Sequence, residues 1–300
     1  MPLELLELLF FPKRLVLGLV ISTFIGLVAY RRGSLTKSGV LGAVITGTII
    51  FGFGGLAAGL TLIAFFVSSS LLSHFKERDA RKQRAAEAFD KGGRRDLGQA
   101  LANGGAAAML AIGVAVAHPF KDYAINLSAI PVISAMVGAL ATVTADTWAT
   151  ELGVLNKSRP RLITTFKQVE PGTSGAVSVV GLAAASLGAI FIAIFFNTIF
   201  AVEASWVLAT LGDRLKQLLV TSVVLGGLAG SLFDSFLGAT VQAMYFSATR
   251  SKETEKPFER DGTPNKPIRG WHWLNNDWVN FISSLFGAMV AAATGYLLIR

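Results

Sequence analysis

Two aspartates stand where a carboxylate is costly. Asp146 lies in Ala-Thr-Val-Thr-Ala-Asp-Thr-Trp-Ala-Thr-Glu-Leu-Gly (141–153) and Asp234 in Leu-Ala-Gly-Ser-Leu-Phe-Asp-Ser-Phe-Leu-Gly-Ala (228–239), both within apolar stretches. An acidic residue at the centre of a membrane helix costs about 2.5–3.5 kcal/mol on insertion scales, so it faces a cavity or a partner. Each opens an Asp-Ser/Thr-aromatic triplet, Asp146-Thr147-Trp148 and Asp234-Ser235-Phe236. Such acids can serve as hydrogen-bonding glue to Ser or Thr of a neighbouring helix. They can also hold a cation: two carboxylates converging at an aqueous mouth suit Mg²⁺, which keeps several waters and is shared between carboxylates and substrate phosphates. Glu151, about one turn beyond Asp146, is either a further ligand or an interfacial charge.

Three further segments have phosphate chemistry in their spacing. Gly92-Gly93-Arg94-Arg95-Asp96 precedes Asn103-Gly104-Gly105. Paired guanidinium groups bind phosphate oxygens bidentately, and the glycines permit close backbone approach. The competing use is a basic juxtamembrane stretch that sets topology or binds anionic lipid, which accounts for Lys76 to Arg84. Pro171-Gly172-Thr173-Ser174-Gly175-Ala176-Val177-Ser178 directly precedes an apolar run, with Lys167, Arg161 and Arg159 upstream. A helix N-terminus with glycines and hydroxyls is a ready anion site, although a simple Ser/Thr cap would use the same residues. The spacing of a Walker P-loop is absent. Last, Asn276, Asp277 and Asn280 fall within one turn of a helix start and can share a face, an arrangement suited to ribose, base or metal-water contacts. The neighbouring Trp271, Trp273 and Trp278 fit an interfacial belt. His74, His118 and His272 do not cluster, so no histidine metal site is expected.

The elements that must position these residues follow from composition. Of 300 residues, 52% are hydrophobic and 15% charged, with a mean hydropathy of +0.56. Soluble domains carry about 25% charged residues, and disorder needs low hydrophobicity, so neither class fits. The net charge of +8 is dispersed between apolar runs, which argues against a nucleic-acid surface. With no cysteine, disulfides, thiolate zinc sites and cysteine nucleophiles are excluded. A membrane helix needs about 20 apolar residues. Candidate spans run over 15–30, 38–53, 55–73, 100–117, 129–147, 175–197, 218–239 and 278–299. The predicted fold is all-α: one polytopic membrane domain over 1–300 with about eight transmembrane helices, seven to nine. Gly52-Phe53-Gly54-Gly55 between the second and third is either a tight turn or a kink in one long helix. No clear small-residue cleavage site follows the first apolar run, so a cleaved signal peptide is not expected.

Connections 31–37, 74–99, 148–174 and 240–277 hold all but six of the 27 Lys and Arg, the six being Lys13, Arg14, Lys121, Arg214, Lys216 and Arg300. By the positive-inside rule those four connections are cytoplasmic and both termini lie on the other side. All the candidate site residues then meet the cytoplasmic face. Phosphoryl transfer needs charge neutralisation and positioning above all, so the set implies a membrane-embedded phosphotransferase acting on a lipid acceptor.

These motifs together resemble the integral membrane family that contains plant and cyanobacterial phytyl-phosphate kinase. The carriers are 92–105, Ala-Asp-Thr-Trp-Ala-Thr-Glu-Leu-Gly (145–153), Pro-Arg-Leu-Ile-Thr-Thr to Val-Ser (160–178), Gly-Ser-Leu-Phe-Asp-Ser-Phe-Leu-Gly-Ala-Thr-Val-Gln (230–242) and Asn-Asp-Trp-Val-Asn (276–280). The resemblance runs from about residue 15 to the C-terminus. It implies phosphorylation of phytyl monophosphate to phytyl diphosphate in phytol salvage for tocopherol, with CTP as donor. A fainter similarity links Asp146 to Gly153 and the 171–175 loop to phytol and dolichol kinases, with Pro171 standing where those enzymes have Glu. The family also has archaeal and animal members, so membership does not fix the prenyl chain. On this basis Asp146 and Asp234 hold Mg²⁺ and act with Arg94 and Arg95 in catalysis. Asn103, Lys167, Gly172, Thr173, Ser174, Gly175, Asn276, Asp277 and Asn280 bind nucleotide and substrate. Expected partners are a prenyl-phosphate lipid, a nucleotide and the bilayer, with no nucleic acid. Two rivals remain: a transporter of a small ion or lipid precursor, since glycine-interrupted helices and intramembrane acids are also transporter features, and a cytidylyltransferase, which would release pyrophosphate in place of CDP.

Overall fold

The structure, a computed structural model, describes residues 3–76, 94–117, 129–203, 205–249, 251–259 and 261–300. Gly92, Gly93, His118, Lys121 and the basic residues from Arg78 to Lys91 lie outside them. Seven helices dominate: α1 (Leu3–Arg31), α2 (Lys37–Lys76), α3 (Leu97–Ala117), α4 (Ile130–Gly153), α5 (Val179–Glu203), α6 (Ser205–Thr240) and α7 (Asn276–Leu298). All seven contain a stretch long and apolar enough to cross a membrane, and the protein is a multi-pass integral membrane protein.

The apolar stretch of α2, Lys37–His74, is too long for one crossing and does not run straight. Gly55 adopts φ 83°, ψ −177°, a conformation that strains any residue with a Cβ. The chain folds back there. A Cβ on Gly47 would lie 4.0 Å from Leu62 Cδ2, and the Phe51 ring packs on Gly59. In a straight helix Gly47 and Leu62 would stand about 22 Å apart. The two ends of α2 also meet one residue: Thr36 N donates to Arg95 O at 2.9 Å, and Arg95 Nη1 donates to Ser70 Oγ at 3.0 Å. The glycine-rich divider is therefore a turn, and counting both limbs of α2 gives eight crossings among the described residues.

Helix α4 is central. Its residues from Ile133 to Ala145 are buried on every side, as expected of a helix that is apolar all round, and α5, α6 and α7 surround it. Outward residues such as Phe24, Leu187, Ile194, Leu225 and Met289 are apolar and exposed, which suits a lipid solvent. Small residues let the core helices approach closely, the usual device where apolar driving force is absent. Thr142 of α4 sits against Gly230 of α6 and Gly287 of α7; a Cβ at either glycine would collide with the Thr142 side chain. That three-way contact sets the site. One turn further along α4 is Asp146, one turn along α6 is Asp234, and two turns back along α7 is Asn280.

The connections at this end are ordered by short strands. In the 148–174 connection β1 (Arg161–Leu162) pairs antiparallel with β2 (Ala176–Val177). Between 240 and 277, β3 (Met244–Ser247), β4 (Lys252–Thr254) and β5 (Lys266–Arg269) form an antiparallel sheet in the order β4-β3-β5. Hydropathy gave no sign of these strands. Arg269 Nη1 donates to Gly238 O at 2.8 Å and so ties the sheet to the C-terminal end of α6. Burial pulls the Arg269 guanidinium down from its ordinary value, against the opposing pull of Glu253 and Glu255.

Candidate active site

A cavity of about 380 Å³ occupies one end of the bundle, lined in part by described residues of the 74–99, 148–174 and 240–277 connections. Asp146 and Asp234 both line it. They are close enough to repel each other, and Glu255 from the strand-bearing connection repels both. Asp234 Oδ2 is buried with no hydrogen-bond partner among the described residues. Three like charges gathered beside a cavity need a cation or a proton to offset them. Among the described residues no three of His, Cys, Asp or Glu form a complete metal cluster. A pair of carboxylates is nonetheless a donor set that fits Mg²⁺, which takes its remaining ligands from water and phosphate.

Arg95 lines the same cavity from another side. It is held at the mouth of α3, where Arg95 N donates to Ser34 O at 3.0 Å in a bridge between Leu35 and Arg95. Its guanidinium lies 5.5 Å from the Phe66 ring centre and 5.9 Å from that of Phe65. Burial pulls the Arg95 guanidinium down to about 10, with the Glu151 carboxylate pulling the other way, so it stays charged at neutral pH. Glu151 is itself buried and accepts from Ser73 Oγ at 2.9 Å. Asp96, the third member of the Arg-Arg-Asp run, caps α3. Asp96 Oδ1 accepts from Gln99 N at 3.0 Å while Gln99 Oε1 accepts from Asp96 N at 3.2 Å, a reciprocal capping box. Asn103, two turns into α3, also lines the cavity.

Gly172, Thr173, Ser174 and Gly175 supply a third wall. Both glycines have positive φ, 91° and 79°. The loop precedes β2 and not α5 directly: the cap of α5 is Ser178, whose Oγ accepts from Gly181 N at 3.0 Å. Thr173 Oγ1 donates to Glu170 O at 2.8 Å, and Ser174 Oγ donates to Gln242 Oε1 at 2.9 Å. Gln242 is 1% exposed and donates from Nε2 to Glu255 Oε1 at 2.9 Å. A chain Ser174–Gln242–Glu255 thus fixes the loop to the connection above the two aspartates. The fourth wall is the start of α7. Asn275 Oδ1 caps it by accepting from Trp278 N at 3.1 Å, and Asn276, Asp277 and Asn280 line the cavity.

Of the thirteen candidate residues read from the sequence, two lie elsewhere. Arg94 turns away: its Nη2 donates to Leu35 O at 3.2 Å and its guanidinium sits 5.7 Å from the Tyr30 ring centre. Lys167 is exposed in the turn between β1 and β2, with its carbonyl accepting from Leu162 N at 2.9 Å. Neither lines the cavity. Gln99, Ser231, Gln242 and Glu255 line it without having been singled out. Gln99 carried the signal of an Asp-x-x-Gln capping box. For Gln242 and Glu255 no spacing rule exists, since a turn and two strands separate them.

Comparisons with known proteins agree with this architecture. The family model described as "Integral membrane protein DUF92" matches residues 20–288. Protein PGR of Arabidopsis thaliana is 36% identical over 284 residues, covering 93% of this chain and 95% of that protein. An uncharacterized membrane protein of Methanocaldococcus jannaschii is 31% identical, covering 92% of each. Protein VTE6, chloroplastic, of Arabidopsis thaliana is 28% identical, covering 86% of this chain and 64% of that protein. No solved structure matches the chain. With a match over nearly its whole length, and with relatives at this identity, the chain belongs to the DUF92 family of integral membrane proteins.

Proposed function

We propose that the protein is a membrane-embedded prenyl-phosphate kinase that transfers the γ-phosphoryl group of a nucleoside triphosphate, CTP, to phytyl monophosphate, giving phytyl diphosphate for tocopherol biosynthesis. One observation carries this: a single cavity gathers two intramembrane aspartates, a half-buried arginine, a glycine-hydroxyl loop and an Asn/Asp helix start. The motif resemblance to the family of phytyl-phosphate kinase and the similarity to Protein VTE6 support the substrate class.

In the proposed reaction an oxygen of the acceptor phosphate attacks the γ-phosphorus, the β–γ bridging bond breaks, and the nucleoside diphosphate leaves. The acceptor is already anionic, so no strong general base is needed. Asp146 and Asp234 would hold Mg²⁺, which when bound neutralises charge on the transferring group. Arg95 lines the same cavity as these acids and would pair with phosphate oxygens. Gly172 to Gly175 bring backbone close to the donor phosphates, while Asn276 and Asn280 offer amides for the sugar or base. The excess of Lys and Arg in the basic connections supports a site on the cytoplasmic side.

The test is product analysis with purified protein, a prenyl monophosphate and CTP. CDP and prenyl diphosphate are expected. Pyrophosphate release would select cytidylyl transfer, and full turnover by both Asp146→Asn and Asp234→Asn would end the assignment.

A further inference from the structure

A second, smaller cavity of about 70 Å³ lies between α1, the α2 hairpin and α3. Its walls are apolar, with Ile25, Ala43, Phe51, Leu62 and Phe66 among them. Thr46 is one of its few polar residues, and its hydroxyl is spent on Gly42 O at 2.9 Å. Glycines let the helices around the cleft approach closely: a Cβ on Gly104 would stand 3.1 Å from Thr46 Cβ, and one on Gly26 3.2 Å from Val40 Cγ1. Two residues, Arg95 and Asn103, line both this cleft and the larger cavity.

We propose that this cleft receives the hydrocarbon chain of the lipid phosphate acceptor, with the phosphate held at Arg95 where the two cavities join. The inference rests on the prenyl-phosphate reading and adds where, and from which side, that substrate binds. Three features carry it. The cleft offers almost no polar group, so neither nucleotide ribose nor base can use it, whereas the larger cavity is rich in amides and hydroxyls. A charged guanidinium stands at the junction, the one point where an anionic head joined to an apolar chain needs it. The cleft also runs in the required direction, since Phe51 lies two turns deeper along the first α2 limb than Ala43, about 12 Å. A chain arriving from lipid gains little by leaving one apolar medium for another, so the cleft acts on shape and register. Acceptor and donor thus reach the aspartates from opposite sides of Arg95.

The test is photolabelling of the intact protein in nanodiscs with a twenty-carbon prenyl monophosphate bearing a diazirine in its chain. Adducts are expected within 22–26, 43–51 and 62–66, and excess unlabelled prenyl phosphate should remove them. Adducts confined to α5, α6 or α7, or none that competitor removes, would overturn the cleft. A second measurement uses Ala43→Phe, which narrows it: the kcat/KM ratio for twenty-carbon over five-carbon prenyl phosphates should fall at least tenfold, and an unchanged ratio would count against the inference. Competed adducts without diphosphate product would leave the cleft standing and remove the kinase. Turnover with adducts elsewhere would do the reverse.

Discussion

The two cavities differ in almost every property although they share Arg95 and Asn103. The larger one is walled by α4, α6, α7, the starts of α3 and α5 and the strand-bearing connections, and its polar side chains are acids, amides and hydroxyls with one arginine. The smaller one is walled by α1, α2 and α3 and is nearly all apolar. The difference follows from what each region packs against. Around α4 the helices are held by small-residue contacts such as Thr142 against Gly230 and Gly287, which leaves the last turns free to carry polar groups. The α1–α3 region faces lipid on its outside, so a polar cleft there would have no compensating partners. One arginine at the boundary lets a charged head and an apolar chain be treated by different parts of the same molecule.

The comparison can be broken most directly at the aspartates. Asp146→Asn and Asp234→Asn should each lower diphosphate formation a hundredfold or more, equivalent to about 2.7 kcal/mol of transition-state stabilisation; steady-state assays of CDP release measure it. A double variant no slower than either single one would mark the two as one unit. Arg95 sharpens the boundary. Arg95→Ala should reduce kcat/KM for prenyl phosphate about thirtyfold, near 2 kcal/mol for a charge-assisted contact, while Arg94→Ala, which removes a group facing Tyr30, should stay within threefold. Arg95→Lys restoring less than half the loss would show that the planar fork matters and not the charge alone.

Smaller effects belong to the polar wall and to titration. Gln242→Leu leaves Ser174 Oγ and Glu255 Oε1 without the partner they share, at a cost of about 1–3 kcal/mol; thermal unfolding in detergent should fall by several degrees, and the KM for nucleotide should rise because the Gly172–Gly175 loop loses its anchor. The Arg95 guanidinium is pulled down to about 10 by burial. Below that pH it is charged, so its hold on a phosphate should be flat between pH 7 and 9 and weaken as pH rises through about 10. For stability the sign is opposite. Between the folded value and the higher unfolded one the unfolded chain binds more protons, so stability from this group rises with pH there. Prenyl-phosphate binding measured against pH should lose its alkaline limb in Arg95→Ala.

Much of this arrangement was legible in the chain. Hydropathy located the crossings. Asp146 and Asp234 were conspicuous because a carboxylate inside an apolar run is costly, and the structure brings both to one cavity. Other features were not legible. Arg94 and Arg95 are neighbours of one type, yet at the Leu35 bridge one guanidinium sits over Tyr30 and the other bonds Ser70 and lines the cavity. Glu255 looks like any charge in a polar connection until β3 and β4 carry it over Asp146.

Sequence alone determined the solvent of each segment and the costly exceptions within it, because transfer free energy is a property of residue type and run length. It determined too that Gly52 to Gly55 would interrupt a helix. Only tertiary structure decided that this interruption is a reversal, which of two arginines lines the cavity, and that Gln242 joins Ser174 to Glu255. Those outcomes depend on directions and distances between elements far apart in the chain. No local preference encodes them; they emerge when close-packed helices fix one another's rotation.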